Sequence, residues 1–341
     1  MLKDPRKNGV YEMSWGYFCI ITLSLFLRAL YANQDSSQAI TYEFGGRFGD
    51  NLLAYFHAKW VSYKYDIPLF YKEFTYSSGL RMHNCENYTP QQEMETIAVS
   101  NIQDIERALE RPVLIVLPYF PESKWERDHA PEQGFQWAYI PVDWEDKEFK
   151  KILQSNTEPI VNLEKIQIPD NLISVACHLR RGGGYDPECT FQQAALKFPQ
   201  DNFYIAEIQW LLKLFRGQQL YVHLFTDDPN PIQIKRRYER IFRHQPVFFG
   251  CRSVMNYHNL HVLDDFFAMT QFDCSIHGES NFSICAAKIS DYLVECQPTD
   301  FHWENQTLII DRVLRRVRKS KIEQHAYIID TNQLQGAHVL E

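Results

Sequence analysis

The sequence lacks an excess of positive charge, closely spaced cysteines and the glycine patterns of common phosphate-binding loops. Its 341 residues carry 35 Lys and Arg against 43 Asp and Glu, a net charge of −8, which argues against a nucleic-acid partner. None of the 8 Cys belongs to a C-x-x-C pair, so no structural zinc site is expected. Neither a P-loop nor G-x-G-x-x-G occurs, which argues against P-loop kinases and against the usual dinucleotide fingerprint.

The apolar runs are also shorter than the roughly 20 residues that span a bilayer. The most extended run, residues 15–27, follows Lys3, Arg6 and Lys7 and precedes a polar stretch. This arrangement predicts a secretory signal peptide or a short signal anchor, with its linker, over residues 1–38. A buried N-terminal helix is the alternative.

What the sequence does contain is an alternation of strand-like and helix-like segments, which favours a parallel α/β architecture. Strands are predicted at 40–44, 96–100, 112–117, 172–179, 219–225 and 273–276. Helices are predicted at 52–65, 101–110, 144–153, 201–215, 231–243, 263–271 and 281–289.

A polar stretch at 155–170, which includes Pro159 and Pro169, predicts a linker between two domains. We therefore expect one domain over 39–168 and a second over 169–300. Residues 301–341 are expected to form a helix and a tail. Apolar residues at helical spacing would dock that helix, and they are Ile310, Val313, Leu314 and Val317.

Two glycine-containing segments follow predicted strands and could bind an anion. Gly45-Gly-Arg-Phe-Gly-Asp-Asn51 opens a helix, so its backbone N–H groups would lie at a positive helix end, although a structural turn fits equally well. His178-Leu-Arg-Arg-Gly-Gly-Gly-Tyr-Asp186 offers two forked guanidinium groups and lets a ligand approach the backbone. Adjacent side chains in extended backbone point opposite ways, so Arg180 and Arg181 need not face one ligand.

Two further segments carry polar residues at the ends of predicted strands or the starts of helices. In Thr226-Asp-Asp-Pro229 the carboxylates could hold a divalent metal, accept hydrogen bonds from a base or sugar, or form a turn. In Asp265–Ala287, Ser280 and Asn281 stand where a helix begins, so they could cap it or assist in binding a phosphate.

In this order, the four segments resemble the superfamily of GDP-fucose-dependent fucosyltransferases, which comprises α1,2-, α1,6- and protein O-fucosyltransferases. Gly46–Asn51 resembles the family's Gly-Arg-hydrophobic-Gly-Asn-Gln loop, with Asp50 where Asn is usual. His178-Leu-Arg-Arg resembles the His-x-Arg-Arg element. Phe225–Pro229 and Asp265–Ala287 resemble the Thr-Asp-Asp-Pro element of the α1,6 branch and the third family motif.

The resemblance implies a GT-B-like glycosyltransferase with two facing Rossmann-like domains, the first on the acceptor side and the second holding a GDP-sugar. It implies an inverting transfer of fucose to a glycan or protein hydroxyl, without a cofactor or a metal. A GT-B enzyme that uses another nucleotide sugar and an inactive, fucosyltransferase-like binding module are the alternatives. The departures Asp50 and Gly183, the latter where the α1,6 branch has Asp, keep the inactive module open.

The resemblance also assigns roles to individual residues. Arg180 and Arg181 would bind the donor diphosphate and stabilise it as it leaves, Arg180 chiefly. Glu188 would be the general base, with Asp186 as the alternative. The remaining donor-binding assignments are Asp265 to guanine, His178 and Asp228 to the nucleoside, Ser280 and Asn281 to the phosphates, and Arg47 and Asn51 from the first domain.

For the cellular location, the resemblance implies a secretory-pathway or Golgi membrane protein in a eukaryote, anchored through residues 15–27. In a bacterium a membrane-associated or cytoplasmic location is expected. N-glycosylation triplets begin at Asn87, Asn281 and Asn305, which predicts a glycoprotein only in a host that glycosylates.

Overall fold

A computed structural model of the protein describes residues 37–90, 94–119, 139–183, 185–186, 191–192, 194–325 and 327–340. The predicted signal or anchor segment, 15–27, lies outside these residues. Among the helices of the described ranges, none combines the length and apolar character that crossing a bilayer requires.

The first unit is built on a small parallel sheet of three described strands: β1 (Gln38–Tyr42), β2 (Glu95–Ala98) and β3 (Val113–Leu117). The order β1-β3-β2 places β3 in the middle, where its apolar side chains are alternately buried and half-buried. The helices of this unit are α1 (Phe48–Tyr65), α2 (Met82–Cys85), α3 (Ile102–Ala108) and α4 (Lys147–Asn156), with a 3₁₀ turn at Ser77–Gly79.

The second unit is built on a seven-stranded sheet. Its strands are β4 (Ile173–Leu179), β5 (Leu220–Thr226), β6 (Val247–Cys251), β7 (Cys274–His277), β8 (Val294–Glu304), β9 (Thr307–Arg318) and β10 (His338–Leu340). Its helices are α5 (Asp201–Leu214), α6 (Pro231–Ile241), α7 (Val262–Met269), α8 (Asn281–Ile289) and α9 (Lys319–Gln324), with 3₁₀ turns at Ala195–Lys197 and Thr331–Leu334.

Five of these strands are parallel in the spatial order β6-β5-β4-β7-β8. Numbered within the unit, this is the Rossmann order 3-2-1-4-5, and the order reverses between β4 and β7. The α/β class predicted from the sequence is confirmed, and the second sheet is parallel except that β9 runs antiparallel to β8. Among the described strands, the Rossmann order is seen in the second unit. In the first unit β3 lies between β1 and β2, which is a different order.

The central strand β4 is buried along its whole length, and its two faces enter two different cores. Val175 and Cys177 pack in the core that includes side chains of α5 and α6. Ala176 belongs to the other core, which joins α7 and α8 to α1 of the first unit. Across this shared core the rings of Phe48 and Phe266 lie 5.2 Å apart, edge to face. The apolar side chains of α1 therefore hold the two units together.

The prediction of a C-terminal helix is wrong over residues 307–318, which form strand β9 antiparallel to β8. Register shifts lie between Pro298 and Asp300 and between Asp300 and Phe301. They allow Ile310 and Val313, which are three residues apart, to pack against the same core. Spacing that is typical of a helix is here produced by a strand with bulges. The expected domain boundary at residue 300 also falls inside β8.

Most other predicted elements lie within a few residues of the observed ones, and the predicted helix 281–289 coincides with α8. Strand β6 was not predicted. Its sequence, Val-Phe-Phe-Gly-Cys, is short and contains a glycine. At Gly250 an added Cβ would lie against the Tyr221 hydroxyl, so the neighbouring strand requires this glycine.

Candidate functional site

The candidate site lies where the strand order of the second sheet reverses. His178 at the end of β4 is directly opposite His277 at the end of β7. Arg180 follows β4 and Ser280 follows β7, and the Arg180 Nη1 donates to the Ser280 Oγ at 3.4 Å. In doubly wound sheets, ligands bind outside the carboxyl ends of the strands at this reversal. The fold therefore places Arg180 and Ser280 where a ligand is expected.

Arg180 is held rigidly, with only 8% of its surface exposed. Its Nη2 donates to Oδ2 of Asp186 at 2.5 Å, and its guanidinium lies 5.3 Å from the centre of the Phe198 ring. Its buried Nε has no hydrogen-bond partner within the described part of the chain. A buried guanidinium with an unused donor is suited to a ligand that brings additional acceptor oxygens.

A turn that begins at Gly182 brings Asp186 back to Arg180. The N–H groups of Tyr185 and Asp186 donate to the Gly182 carbonyl at 2.8 and 3.2 Å. Gly182 has φ +92°, in the left-handed region that favours glycine. The conformational freedom of this glycine thus explains part of the glycine run after the two arginines.

The first unit contributes Arg47 to the same place. Its Nη2 lies 3.4 Å from the Asp186 Oδ2, and its guanidinium covers the Tyr185 ring at 4.4 Å. Arg47 precedes α1, which follows β1. Side chains from the carboxyl ends of β1 and β4 therefore meet at Asp186, which is the facing arrangement expected of the two units.

The N-terminal turns of α1 and α8 are fastened to each other. The Asp50 carboxylate accepts from the Arg47 N–H at 2.9 Å and from the Asn281 Nδ2 at 2.9 Å. A Cβ added at Gly49 would collide with the backbone nitrogen of Phe282. Asp50 thus caps one helix and holds the side chain of Asn281. The structure places Asn281 between the units.

Two further predicted residues are buried here with polar atoms that lack partners among the described residues, the Oδ1 of Asn51 and the Nδ1 of His178. The His178 ring lies 5.5 Å from the Phe282 ring. Burial, together with the smaller effects of nearby His277 and Arg47, lowers the pKa of His178 to about 3. His178 is therefore neutral at physiological pH and can form hydrogen bonds without adding positive charge.

Ser280 is the residue before the first turn of α8, and its side chain makes no capping hydrogen bond. Its hydroxyl accepts from Arg180 instead. The capping explanation for this serine is therefore wrong, and its hydroxyl belongs to the candidate site.

The side chain of Arg181 does not share the partners of Arg180. The Arg181 Nη2 pairs with Asp201 at the start of α5. The Arg237 Nη1 lies 2.7 Å from the Oδ2 of the same carboxylate. The backbone N–H of Arg181 donates to Asp227 at 2.6 Å. Its side chain thus connects the end of β4 to the helix layer on the other face.

The Asp227-Asp228 pair forms a turn, as the simplest interpretation of Asp before Pro predicts. Oδ1 of Asp228 accepts from the Asn230 N–H at 2.7 Å, and the Asp228 N–H donates to the Thr226 hydroxyl at 3.2 Å. Burial raises the pKa of Asp227, which the N–H of Arg181 opposes. No cluster of His, Cys, Asp or Glu suited to a metal ion occurs among the described residues.

Asp265 on α7 lies in a second polar cluster. Its Oδ1 accepts from the Arg252 Nε at 2.6 Å and its Oδ2 from the Asn256 Nδ2 at 3.1 Å. Asn256 also donates to the Thr226 carbonyl at 2.8 Å, which places this cluster at the carboxyl end of β5. Burial raises the pKa of Asp265, and the charge of Arg252 opposes that rise.

Sequence reasoning missed Arg252, Asn256 and Lys197. Arg252 directly follows β6, so a correct prediction of that strand would have made it a candidate. Lys197 ends a 3₁₀ turn and has no motif around it. Glu188, the predicted general base, lies outside the described residues.

Comparisons with known proteins give similarity in structure only, since no family model and no curated protein matches the chain. A mutant of FUT1 from Arabidopsis thaliana in complex with GDP is 9% identical, with 84% of this chain and 76% of that chain covered and a TM-score of 0.43. The fucosyltransferase NodZ from Bradyrhizobium is 10% identical, with 82% and 97% covered and a TM-score of 0.37. POFUT1 is 12% identical, with 75% and 95% covered and a TM-score of 0.39.

All three are fucosyltransferases, the family that the four sequence segments resemble. Because the TM-scores are below 0.5, this likeness by itself establishes no function for the chain.

Proposed function

We propose that the protein is an inverting fucosyltransferase that moves fucose from GDP-fucose to a hydroxyl of a glycan or protein. One observation carries the proposal. Arg180, which contacts Ser280 at the reversal of strand order, and Arg47 from the facing unit converge on one point, the carboxylate of Asp186. A nucleotide sugar needs such a point for its diphosphate, between a sheet that binds the nucleotide and a unit that presents the acceptor.

The geometry fits the electrostatic demands of this reaction. When the bond between the anomeric carbon and the phosphate oxygen breaks, negative charge grows on the departing diphosphate. Arg180 is fixed by Ser280 and Phe198, so it can stabilise that charge without first reorganising. One such donor is worth on the order of 10²–10³ in rate. The buried cation thereby supplies a charge that a metal would otherwise have to provide, and we propose that transfer needs no metal.

The nucleoside would be bound by the polar groups around the phosphate site. In this proposal the Asp265 carboxylate accepts hydrogen bonds from the guanine N–H groups. His178 and Asn51 each keep a buried polar atom without a partner in the described structure, and these atoms would pair with the donor. The Asp228 carboxylate accepts from the Asn230 N–H in its own turn. In this proposal Asp228 contributes to nucleoside binding by holding the backbone of that turn in place.

The acceptor hydroxyl needs a general base, and in an inverting transfer it attacks the face opposite the departing diphosphate. We keep Glu188 in this role. Asp186, the alternative, is ion-paired with Arg180 and Arg47 in the observed arrangement, so its carboxylate is already engaged. We also retain the proposal of a membrane anchor at 15–27, with a secretory-pathway location in a eukaryote.

Calorimetry tests the donor assignment. GDP, GDP-fucose and UDP-sugars are titrated into the wild type, Arg180→Ala and the exposed control Arg243→Ala, with and without EDTA. We expect guanine-selective binding that EDTA does not change, that Arg180→Ala loses and that Arg243→Ala retains. Selective binding of uridine nucleotides would overturn the donor assignment.

Turnover separates an enzyme from a binding module. Release of fucose from GDP-fucose, followed with and without candidate glycan acceptors, is expected in the wild type and not in Arg180→Ala. Selective GDP binding without any release or transfer would favour the inactive module. Faster release from another GDP-sugar would reassign the sugar and leave the nucleotide site in place.

A further inference from the structure

The carboxylate of Asp186 is surrounded by three cations. The Arg180 Nη2 lies 2.5 Å from it, the Arg47 Nη2 3.4 Å and the Lys197 Nζ 3.7 Å. The Asp186 side chain is only 5% exposed. One negative charge thus faces three positive charges, and its pair with Arg180 is largely dehydrated, so these two charges interact more strongly than in water.

The backbone at Lys197 is firmly placed. It ends the 3₁₀ turn Ala195–Lys197, and the Glu279 N–H fixes that turn by donating to the Leu196 carbonyl at 2.8 Å. An added Cβ on Gly278 would come within 3.0 Å of the Lys197 carbonyl. The turn therefore packs directly on the end of β7, beside Ser280.

Phe198 provides a common surface for two of the cations. Its ring centre lies 5.3 Å from the Arg180 guanidinium and 5.7 Å from the Lys197 Nζ. Cations at this distance from an aromatic face are held by its negative potential. Both groups are thus kept in place by contacts that do not involve Asp186.

We propose that Asp186 is an internal competitor for the donor's phosphate, and that Lys197 is the third cation of the phosphate site; this rests on the proposed function. In the protein without donor, Asp186 compensates three cations that would otherwise repel one another. A phosphate group offers more acceptor oxygens and more negative charge than one carboxylate. It displaces Asp186 and takes over its ion pairs.

Removing the charge of Asp186 tests the competition directly. The variants are Asp186→Asn, which keeps the shape, and Asp170→Asn, an exposed carboxylate before β4 that makes the same change in net charge. Calorimetry at one salt concentration measures inorganic pyrophosphate, GDP, UDP and guanosine. We expect Asp186→Asn to bind pyrophosphate and GDP about tenfold more tightly, in line with the strength of a charged hydrogen bond. Guanosine binding and Asp170→Asn should match the wild type.

Two further measurements guard against a folding artefact. Asp186→Ser also removes the charge and should tighten pyrophosphate binding in the same way. The increase in Tm caused by pyrophosphate should be larger in both neutral variants than in the wild type. Lys197→Met should weaken pyrophosphate binding whether Asp186 is present or not, and Lys197→Arg should restore it.

The outcomes distinguish this proposal from the proposed function. If GDP binds selectively to the wild type but neither neutral variant binds pyrophosphate more tightly, the competitor role is overturned and the donor assignment stands. If pyrophosphate binds more tightly to both variants but GDP and UDP bind alike, the competitor role stands and the guanine-nucleotide assignment fails. Unchanged pyrophosphate binding in Lys197→Met would remove Lys197 from the site.

Discussion

Arg180 and Arg181 are adjacent in sequence, but their guanidinium groups lie on opposite sides of the end of β4. Arg180 contacts Ser280 and Asp186, whereas Arg181 pairs with Asp201. The alternation of side chains in extended backbone separates them. One arginine is thus available to a ligand, and the other connects the strand to a helix.

Substituting each arginine should therefore change a different property. Arg180→Lys keeps the charge but loses the forked donors, so we expect the transfer rate to fall about 100-fold with little change in stability. Arg181→Met should lower the free energy of unfolding by about 2 kcal/mol, because Asp201 loses one of its two arginine partners, while GDP binding is retained. Steady-state kinetics, calorimetry and urea unfolding measure these effects. Equal loss of GDP binding in both variants would contradict the separation.

Arg252 should determine the pH range of GDP binding. Burial raises the pKa of Asp265 and Arg252 opposes that rise, so Arg252→Met should raise the pKa further. Guanine N–H groups need an ionised acceptor, so binding is lost as pH falls through the pKa of Asp265. We expect this loss at higher pH in Arg252→Met than in the wild type, measured by GDP titrations between pH 5 and 8.

Pyrophosphate is the control for Arg252→Met, because pyrophosphate contains no guanine and its binding does not involve the Asp265 contact. If Arg252→Met binds pyrophosphate normally and its GDP profile matches that of the wild type, Arg252 does not act on the guanine contact. Arg252→Lys, which keeps a positive charge near Asp265, should recover part of the wild-type profile.

His223 should make the protein less stable in acid. Burial, together with the smaller effects of Arg252 and Lys235, lowers its pKa to about 3. Between pH 3 and 6.5 the unfolded chain therefore binds a proton that the folded protein excludes, and stability falls as pH falls in that window. His223→Gln should reduce the slope of unfolding free energy against pH by up to about 1.4 kcal/mol per unit. Urea unfolding between pH 4 and 6 measures it, with exposed His244→Gln as the control.

The pairing of β9 with the helix layer should contribute to stability through Arg315. Its Nε and Nη2 donate to the two carboxylate oxygens of Glu207, both at 2.7 Å, and the Glu207 side chain is 2% exposed. Arg315→Met would leave a buried carboxylate without its partner, so we expect a loss of about 3 kcal/mol in unfolding free energy. Arg312→Met, which breaks the exposed pair with Asp300, should cost less than about 1 kcal/mol. Equal losses in the two variants would show that the buried Arg315–Glu207 pair contributes no more to the free energy of unfolding than the exposed Arg312–Asp300 pair.

The sequence alone identified much of the second unit. Alternating apolar strands and capped or amphipathic helices predicted β4, β5, β7 and their helices, because each pattern reflects local geometry and burial on a known face. It also singled out Arg180 and Ser280, since polar residues at strand ends and helix starts are visible without any knowledge of contacts. The resemblance to fucosyltransferases supplied the chemistry that these residues would perform.

Only the tertiary structure decided which polar groups meet. The side chains around Asp186 come from segments as distant as Arg47 and Lys197, and no local pattern joins them. The bulges in the β8–β9 pair place apolar residues of β9 at a spacing that is typical of a helix. Because the register depends on the partner strand, the sequence of β9 alone does not reveal these bulges. Likewise the strand order that reverses between β4 and β7 is a property of the whole sheet, and it is this reversal that brings Arg180 to Ser280.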